Sequence, residues 1–242
     1  MDKAYEAKYH DLEKTHWWFK GRRAIVRKLL QKIKQKEKLL EIGCSRGMFL
    51  QELPKEIQAT GIDISKEAIQ QCKKQNITNV QLMDGGKTTF AKNTFDVLIA
   101  SDVLEHIKED GIALQNWQKI LKPGGTLIVF VPACPFLWSK HDEVNHHYRR
   151  YTKKQLINQL QKAGLTVTRS SYWNFLLFFP TLVVRTLQHS IKSKTKTTDN
   201  LQTTNIVFNT LFYLLLIIEN TLLKMVNYPI GVSVFAIGKK PL

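Results

Sequence analysis

Short apolar runs alternate with amphipathic segments along residues 38–170. Each run has the length of a β-strand, and the segments between them carry apolar residues at helical spacing. The predicted strands are residues 38–42, 58–62, 79–83, 95–100, 126–131 and 165–169. Strand–helix alternation at this spacing predicts an α/β domain with a mostly parallel sheet and helices on both faces.

Capping residues set the ends of the predicted helices. Ser65 precedes a helix that reaches residue 75, and Thr152 precedes one that runs to residue 163, where Gly164 ends it. Serine and threonine are favoured at these positions because their hydroxyls accept hydrogen bonds from free backbone N–H groups. A third helix is expected over residues 112–121, stopped by the Pro-Gly-Gly sequence at 123–125.

The two ends of the chain add features to this core. Residues 15–36 are expected to be helical, with an aromatic cluster, Trp17 to Phe19, just before Arg22 and Arg23. This segment is interpreted either as a lid over a ligand site or as an accessory helix packed on the sheet. Residues 231–238 form a last predicted strand. The chain is therefore expected to be a single domain, 1–242, with an N-terminal lid (1–36), a core (37–170 and 229–242) and an insert (171–228).

The insert contains two apolar segments, 172–187 and 206–226, joined by a polar linker at 190–204. Pro180 and Arg185 interrupt the first segment, and the uninterrupted apolar run of the second is well short of the ~18 residues that suggest a membrane span. The polar residues of the second segment fall on one stripe, which consists of Asn209, Tyr213, Asn220 and Lys224. This pattern suits a helix that lies on a membrane, holds an acyl chain, packs over the sheet or forms a homodimer interface.

Composition adds a strong positive charge. The 242 residues include 36 Lys and Arg against 20 Asp and Glu, for a formal net charge of +16. Such a charge favours an anionic partner, such as a membrane surface, nucleic acid or a phosphorylated substrate, unless it is only a lysine-rich solvated surface. The three cysteines form no C-x-x-C pair, and the N-terminus has no apolar signal region. We therefore expect no disulfide framework, no zinc site and a cytoplasmic protein, either free or held on the inner face of the cell membrane.

The first predicted strand runs directly into a glycine turn. Its sequence, Leu-Leu-Glu-Ile-Gly-Cys-Ser-Arg-Gly at residues 39–47, allows the backbone to approach a ligand closely at Gly43 and Gly47. Asp63 ends the next strand, 20 residues after Gly43. An acid in this place binds ribose hydroxyls in dinucleotide-type folds, although it could also serve only as a helix cap.

Several ordered motifs resemble one family. LLEIGCSRG, GIDIS, MDG, FDVLIASDVLEHI and LKPGG are similar to motifs of the class I S-adenosylmethionine-dependent methyltransferases, in a type 11/12-like subgroup. The resemblance implies a Rossmann-like sheet of seven strands whose last strand is antiparallel, S-adenosylmethionine as cofactor and S-adenosylhomocysteine as product. Many relatives have glycine where this chain has Ser45, and the G-x-G-x-x-G typical of nicotinamide dehydrogenases is absent.

The resemblance also implies a set of cofactor-binding positions. Glu41, Gly43 and Gly47 would lie at the methionine moiety, with Ser101, and Asp102 beside it, beneath that moiety. Asp63 would bind the ribose, and Asp84 and Gly85 would lie near the adenine. The full expected set is Glu41, Gly43, Cys44, Gly47, Asp63, Ile64, Asp84, Gly85 and Ser101.

Candidate catalytic residues are histidines, because an oxygen nucleophile usually needs a general base. His106 follows the fourth strand, whereas His141 and His146 lie in a polar cluster after the fifth. His106 could instead be a packing residue beside the cofactor. The polar cluster also supplies an expected substrate set, Trp138, Tyr148, Arg149 and Arg150, in which the arginines would clamp a phosphate or carboxylate.

Two alternatives for the polar cluster stay open, an ordinary surface loop and a metal site. His141, Asp142, Glu143 and His146 match no strict ligand motif, so no metal is expected. The predicted activity is methyl transfer to an oxygen or nitrogen of a small-molecule, glycan or lipid-linked acceptor. An RNA methyltransferase is disfavoured, because the position after the fourth strand lacks an N-P-P-Y-type tetrapeptide. A non-catalytic cofactor-binding protein is the third alternative.

Overall fold

A seven-stranded sheet lies at the centre of the computed structural model, which describes residues 11–190 and 205–242. The strands are β1 (Lys38–Ile42), β2 (Gln58–Asp63), β3 (Val80–Leu82), β4 (Phe95–Ser101), β5 (Leu121–Pro132), β6 (Thr166–Trp173) and β7 (Ser233–Lys239). Six of them contain a predicted strand or lie within two residues of its bounds, and β6 extends four residues beyond the predicted end. Continuous apolar sequence buries β4 and most of β5 on both faces, as parallel strands inside a sheet require.

The strand order is β3-β2-β1-β4-β5-β7-β6. Strands β1 to β5 pair in parallel, whereas β7 runs antiparallel to both β5 and β6. The predicted Rossmann-like sheet with an antiparallel last strand is therefore confirmed. The order reverses between β1 and β4, which opens a crevice at the carboxyl ends of these strands, the usual ligand position in such sheets.

Helices cover both faces of the sheet. They are α1 (Trp17–Gln31), α2 (Met48–Gln51), α3 (Lys66–Lys74), α4 (Asp110–Ile120), α5 (Lys140–Val144), α6 (Lys153–Lys162), α7 (Phe178–Ser190) and α8 (Ile206–Leu222), within the described residues. Both predicted caps are confirmed: the Ser65 hydroxyl accepts a hydrogen bond from the Ala68 N–H, and the Thr152 hydroxyl accepts one from the Gln155 N–H.

Two hydrophobic layers hold these helices. Trp117 of α4 and Leu156 of α6 pack on one face of the sheet, whereas Ile25 of α1 and Leu216 of α8 belong to the cluster on the other face. The predicted burial of the sheet between helices is thus confirmed. The carboxyl ends of β1, β2 and β4 remain open between the two layers.

Some predicted boundaries are wrong. The Pro-Gly-Gly sequence at 123–125 lies inside β5, because the Gly124 N–H donates to Lys240 O and the Lys240 N–H donates to Gly125 O, which extends the sheet. Helix α1 begins at Trp17 and ends at Gln31, five residues earlier than expected. Pro180 does not break its segment, since it lies in the first turn of α7, where no intrahelical N–H donor is needed.

The insert contributes α7 and α8, and the predicted linker at 191–204 lies outside the described residues, as does the start of the predicted lid at 1–10. Among the described residues no helix is long and apolar enough to cross a bilayer. Cys44, Cys72 and Cys134 are free and buried.

Candidate active site

A cavity of about 570 Å³ opens at the carboxyl ends of β1, β2 and β4. Its size suits a cofactor or small-molecule ligand. Side chains from α1 and from the loop after β5 complete the wall on the side away from the sheet. The lining includes Glu13, Phe19, Arg22, Glu41, Gly43, Ser45, Asp63, Ile64, Asp84, Gly85, Ser101, Asp102, His106, Asn145, His146 and Tyr148.

The glycine turn after β1 makes room for a ligand. Gly43 has φ +74°, and a Cβ placed on it would lie 2.4 Å from Cγ2 of Val103. The N–H groups of Gly43 and Cys44 both donate to Ile62 O, at 2.8 and 3.0 Å, which fixes the turn to β2. Ser45 continues the turn with φ +48°. Only glycine fits position 43 without strain, so the backbone itself forms the floor of the cavity.

Three carboxylates converge beside this turn. Asp63 accepts hydrogen bonds from the Ser45 and Ser65 N–H groups, both at 2.8 Å. Glu13, from the segment before α1, accepts one from the Ser45 hydroxyl at 2.9 Å. Burial raises the pKa of Glu13 to about 7. Burial also raises the pKa of Glu41, and so do the neighbouring charges of Glu13 and Asp63.

This group of acids fits a cationic, hydroxyl-bearing cofactor. The Glu41 carboxylate is buried, and its Oε2 has no hydrogen-bond partner within the described part of the chain. A buried acceptor of this kind is costly unless a ligand satisfies it. The ammonium and ribose hydroxyls of S-adenosylmethionine are donors of the required type. Glu41, Asp63 and Glu13 would hold the cofactor, whose sulfonium supplies an activated methyl group when bound.

An ion pair closes the opposite wall. Nη2 of Arg22 lies 3.1 Å from Oδ1 of Asp102 and 2.8 Å from Oγ of Ser233. The guanidinium is stacked over Trp173 and Phe130, with its carbon 4.2 and 4.4 Å from the ring centroids. Burial raises the pKa of Asp102, although Arg22 opposes that shift. Asp102 also has φ +57°, an uncommon conformation that often marks a functional position.

The histidine beside this wall belongs to a chain of polar contacts. The His106 ring packs edge-on against His147, with centroids 4.6 Å apart. Burial, and then the neighbouring His147, lowers the pKa of His106 to about 3. Nδ1 of His147 lies 2.9 Å from Asp142 Oδ1, which Arg150 also contacts at 2.8 Å. Burial alone would raise the pKa of Asp142, but the hydrogen bond from His147 and the charge of Arg150 outweigh it and lower the pKa.

The cavity collects most of the expected site residues but not all of them. It brings together Glu41, Gly43, Asp63, Ile64, Asp84, Gly85, Ser101, His106, His146 and Tyr148. Cys44 is buried below the turn with its thiol directed at Ser45 O, 3.8 Å away. Gly47 is the N-cap of α2, where φ +75° and contact with Ile77 explain the glycine. Neither residue lines the cavity, and the part of Cys44 and Gly47 in cofactor binding stays a prediction.

The two arginines of the expected clamp have partners within the domain and lie outside the cavity lining. Arg149 pairs with Asp110 at 2.7 Å, and Arg150 is buried against Asp142 and Ala133 O. Both guanidiniums hold the loop after β5 to the domain instead of lining the cavity. His141 packs against Asn145, 3.3 Å from ring nitrogen to amide nitrogen, and neither His141 nor Trp138 lines the cavity.

The proposed metal grouping of His141, Asp142, Glu143 and His146 does not assemble, because Asp142 is occupied by His147 and Arg150. A different grouping occurs: potential ligand atoms of Glu105, His106 and His147 lie within 4.8 Å of one another. No sequence motif distinguishes these three residues. The absence of a metal remains a prediction.

The residues of the cavity wall that sequence reasoning missed include two polar ones, Glu13 and Asn145. Glu13 comes from a charged segment with no motif, and Asn145 was overlooked between the histidines. The positive φ of His146, +55°, turns this part of the loop and places Asn145, His146 and Tyr148 on the wall. Backbone conformation of this kind leaves little trace in a single sequence.

Comparison with known proteins decides the family. The model of a methyltransferase domain family matches residues 15–170. The chain belongs to this methyltransferase family. It is an S-adenosylmethionine-dependent methyltransferase, and the expected cofactor is confirmed. The matched region contains the glycine turn, Glu41, Asp63 and His106, whereas Glu13 precedes it by two residues.

Individual relatives are distant. An uncharacterised methyltransferase of Schizosaccharomyces pombe is 27% identical over 129 residues, which cover 47% of this chain and 46% of that protein. A ubiquinone biosynthesis O-methyltransferase of Coxiella burnetii is 27% identical over 192 residues, 68% of this chain and 82% of that one. The structure of a methyltransferase from Archaeoglobus fulgidus superposes with a TM-score of 0.60 at 18% identity, covering 96% of this chain and 99% of the other. The structural likeness supports the fold.

Proposed function

We propose that this methyltransferase methylates an acidic hydroxyl group, such as a phenol, on a small acceptor with an apolar or lipid-linked tail. The observation that carries the proposal is the neutral imidazole of His106 on the cavity wall, where burial holds its pKa near 3. A hydroxyl loses its proton when its oxygen is methylated, and a neutral imidazole can accept that proton.

The basicity of His106 limits the choice of acceptor. The lowered pKa makes His106 a weak base, so it would assist an acidic hydroxyl more readily than an alkyl alcohol. A phenolic hydroxyl, with an ordinary pKa of about 10, is the better proton donor of the two. The Coxiella relative is named as an O-methyltransferase of ubiquinone biosynthesis, which supports an oxygen acceptor.

The remaining residues position the reactants. Methyl transfer needs the acceptor oxygen in line with the activated methyl group, so orientation accounts for much of the catalysis. His147, fixed by Asp142, packs against His106 and restricts its ring. Asn145, His146 and Tyr148 line the cavity beside His106 and would contact the acceptor. Glu13, Glu41 and Asp63 line the glycine-turn side and would hold the cofactor.

Transfer of labelled methyl groups into fractionated cell extract tests this function. Half of the extract is treated beforehand with an amine-selective acylating reagent, which leaves hydroxyls free. We expect label in the organic phase, at equal levels from treated and untreated extract. Loss of label after amine acylation would indicate a nitrogen acceptor. Label confined to nucleic acid or to water-soluble glycans would also overturn the proposal.

A further inference from the structure

Helix α8 is oriented with its polar side toward the protein. Asn209 accepts a hydrogen bond from the Trp17 N–H at 2.8 Å and donates one to Thr15 O at 3.0 Å. Asn220 is completely buried, accepts from the Trp173 indole at 2.7 Å and donates to Gly21 O at 3.1 Å. Asn209 and Asn220 of the polar stripe therefore bind α1 and β6 instead of facing water.

The opposite side of α8 is apolar and exposed. Phe208, Leu214 and Ile218 are 55%, 52% and 54% exposed. We define the apolar face as the exposed side chains Val207, Phe208, Leu211, Leu214, Ile218 and Leu222 of α8. Surface helices ordinarily show the reverse arrangement, with polar residues outward. A continuous exposed apolar surface on a protein normally marks an interaction site.

Positive charge borders the apolar face. Lys28 of α1 donates to the Thr221 hydroxyl of α8 at 3.1 Å. Burial lowers the pKa of Lys28, and the nearby charge of Lys224 lowers it further. Glu219 is the one acid in the sequence of α8, and it is fully buried against the Leu176 N–H. The linker at 191–204, outside the described residues, has three lysines and one aspartate in sequence.

We propose that the apolar face of α8 docks on an anionic lipid bilayer, with the helix lying in the plane of the interface. Helices that bind in this way combine an apolar face with flanking basic residues, as found here. Anionic head groups attract lysines close to the membrane, which supplies the charge complementarity. A second copy of the chain is a poorer partner, because two copies that each carry a net charge of +16, with lysines beside the apolar face, would repel one another.

Helix α7 also has exposed apolar side chains. Phe179, Val183 and Val184 of α7 are exposed, and the charge of Arg185 contributes to the lowered pKa of His141 in α5. The docking proposal does not depend on the acceptor, since it concerns only where the protein binds.

Vesicle flotation of the full chain tests the proposal. We expect at least tenfold more protein to float with vesicles of phosphatidylglycerol and phosphatidylcholine than with phosphatidylcholine alone. The double variant Leu211→Gln/Ile218→Gln should lose this binding at least tenfold. The control Ile112→Gln replaces a residue of α4 that is equally exposed, at 55%, and should bind as the wild type does.

Folding and self-association are checked on the same samples. Circular dichroism and S-adenosylhomocysteine affinity should be unchanged in all variants, and a second variant, Lys28→Glu/Lys224→Glu, should lose binding to anionic vesicles without removing apolar surface. Wild-type protein that binds neither vesicle overturns the proposal. So does equal flotation of wild type and both double variants, or a dimer in sedimentation that the Gln variant dissociates.

Discussion

Nη2 of Arg22 and Oδ1 of Asp102 are 3.1 Å apart, and this contact joins α1 to the turn after β4. The contact crosses the cavity wall from α1, which precedes the sheet in the chain, to the end of β4, which His106 follows. The arginine is buried among aromatic rings, whereas Asp102 is half-buried and lines the cavity. The pair makes α1 part of the cavity wall, the same helix also packs on the sheet, and its role as a lid stays a prediction.

Removal of Arg22 is expected to destabilise the fold. In Arg22→Gln the half-buried Asp102 loses its buried partner, and breaking such a pair costs about 3 kcal/mol of the free energy of unfolding. The control Arg27→Gln breaks a more exposed pair with Glu52, 2.7 Å apart, and should cost under ~1 kcal/mol. Urea denaturation measures both. Equal losses in the two variants would show that the buried pair has no special role.

The glycine turn should control cofactor affinity. Gly43→Ala places a Cβ 2.4 Å from Val103 at a residue with φ +74°, so the turn must move. We expect S-adenosylhomocysteine to bind at least tenfold more weakly, by calorimetry. Gly111→Ala is the matched control, because its Cβ would meet nothing closer than 4.0 Å. Unchanged affinity in Gly43→Ala would mean that the turn does not contact the cofactor.

His106 should affect the chemical step more than binding. His106→Gln is expected to lower kcat by about 10²–10⁴-fold with little change in cofactor affinity, because it removes the proton acceptor. His141→Gln, which alters a histidine outside the cavity lining, should have a smaller effect. With a pKa near 3, His106 stays neutral from pH 5 to 8. If wild-type activity changes with pH in this window, the residual activity of His106→Gln should change with pH in the same way.

Glu13 should make stability depend on pH. Its folded pKa of about 7 lies above the ordinary value of 4.5, so the protonated form is favoured in the folded state. The protonated Glu13 carboxyl therefore makes its full contribution to the free energy of unfolding below pH 4.5, and this contribution is lost as the pH rises through 7. Without cofactor, Glu13→Gln should therefore raise Tm relative to wild type at pH 8 and match it near pH 4.5.

A control separates this effect from general charge removal. Glu37→Gln removes a carboxylate from an exposed position outside the cavity and should shift Tm equally at both pH values. Saturating S-adenosylmethionine, a cation, should stabilise the ionised Glu13 and reduce the advantage of Glu13→Gln at pH 8. A pH-independent difference between wild type and Glu13→Gln would contradict the assigned pKa.

The sheet could be predicted from sequence because its central strands, β1, β4 and the second half of β5, are largely apolar and several strands end at recognisable turns. Asp63 and Gly43 were found for the same reason: a strand end fixes where their side chains or backbone must lie. The caps at Ser65 and Thr152 are local hydrogen bonds and were equally predictable. Local rules thus determine the cofactor half of the site.

The acceptor half, and Glu13 on the cofactor side, depend on tertiary contacts that a pattern does not reveal. Arg149 and Arg150 have the composition of an anion clamp, yet Asp110 and Asp142 engage them within the domain. Glu13 reaches the cavity because α1 packs across the sheet. The polar stripe of α8 was visible in sequence, but its direction depends on Asn209 and Asn220 finding partners in α1 and β6.

Methyl transfer itself is the most direct test of the central claim. Purified wild-type protein and Asp63→Ala are given S-adenosylmethionine labelled in the methyl group together with cell extract, and the label in the organic phase is counted. We predict rapid labelling by the wild type and, because Asp63 lines the cofactor side of the cavity, at least a hundredfold less by the variant. Equal labelling by both proteins, or cofactor binding by the wild type with no label in any fraction, would contradict the account.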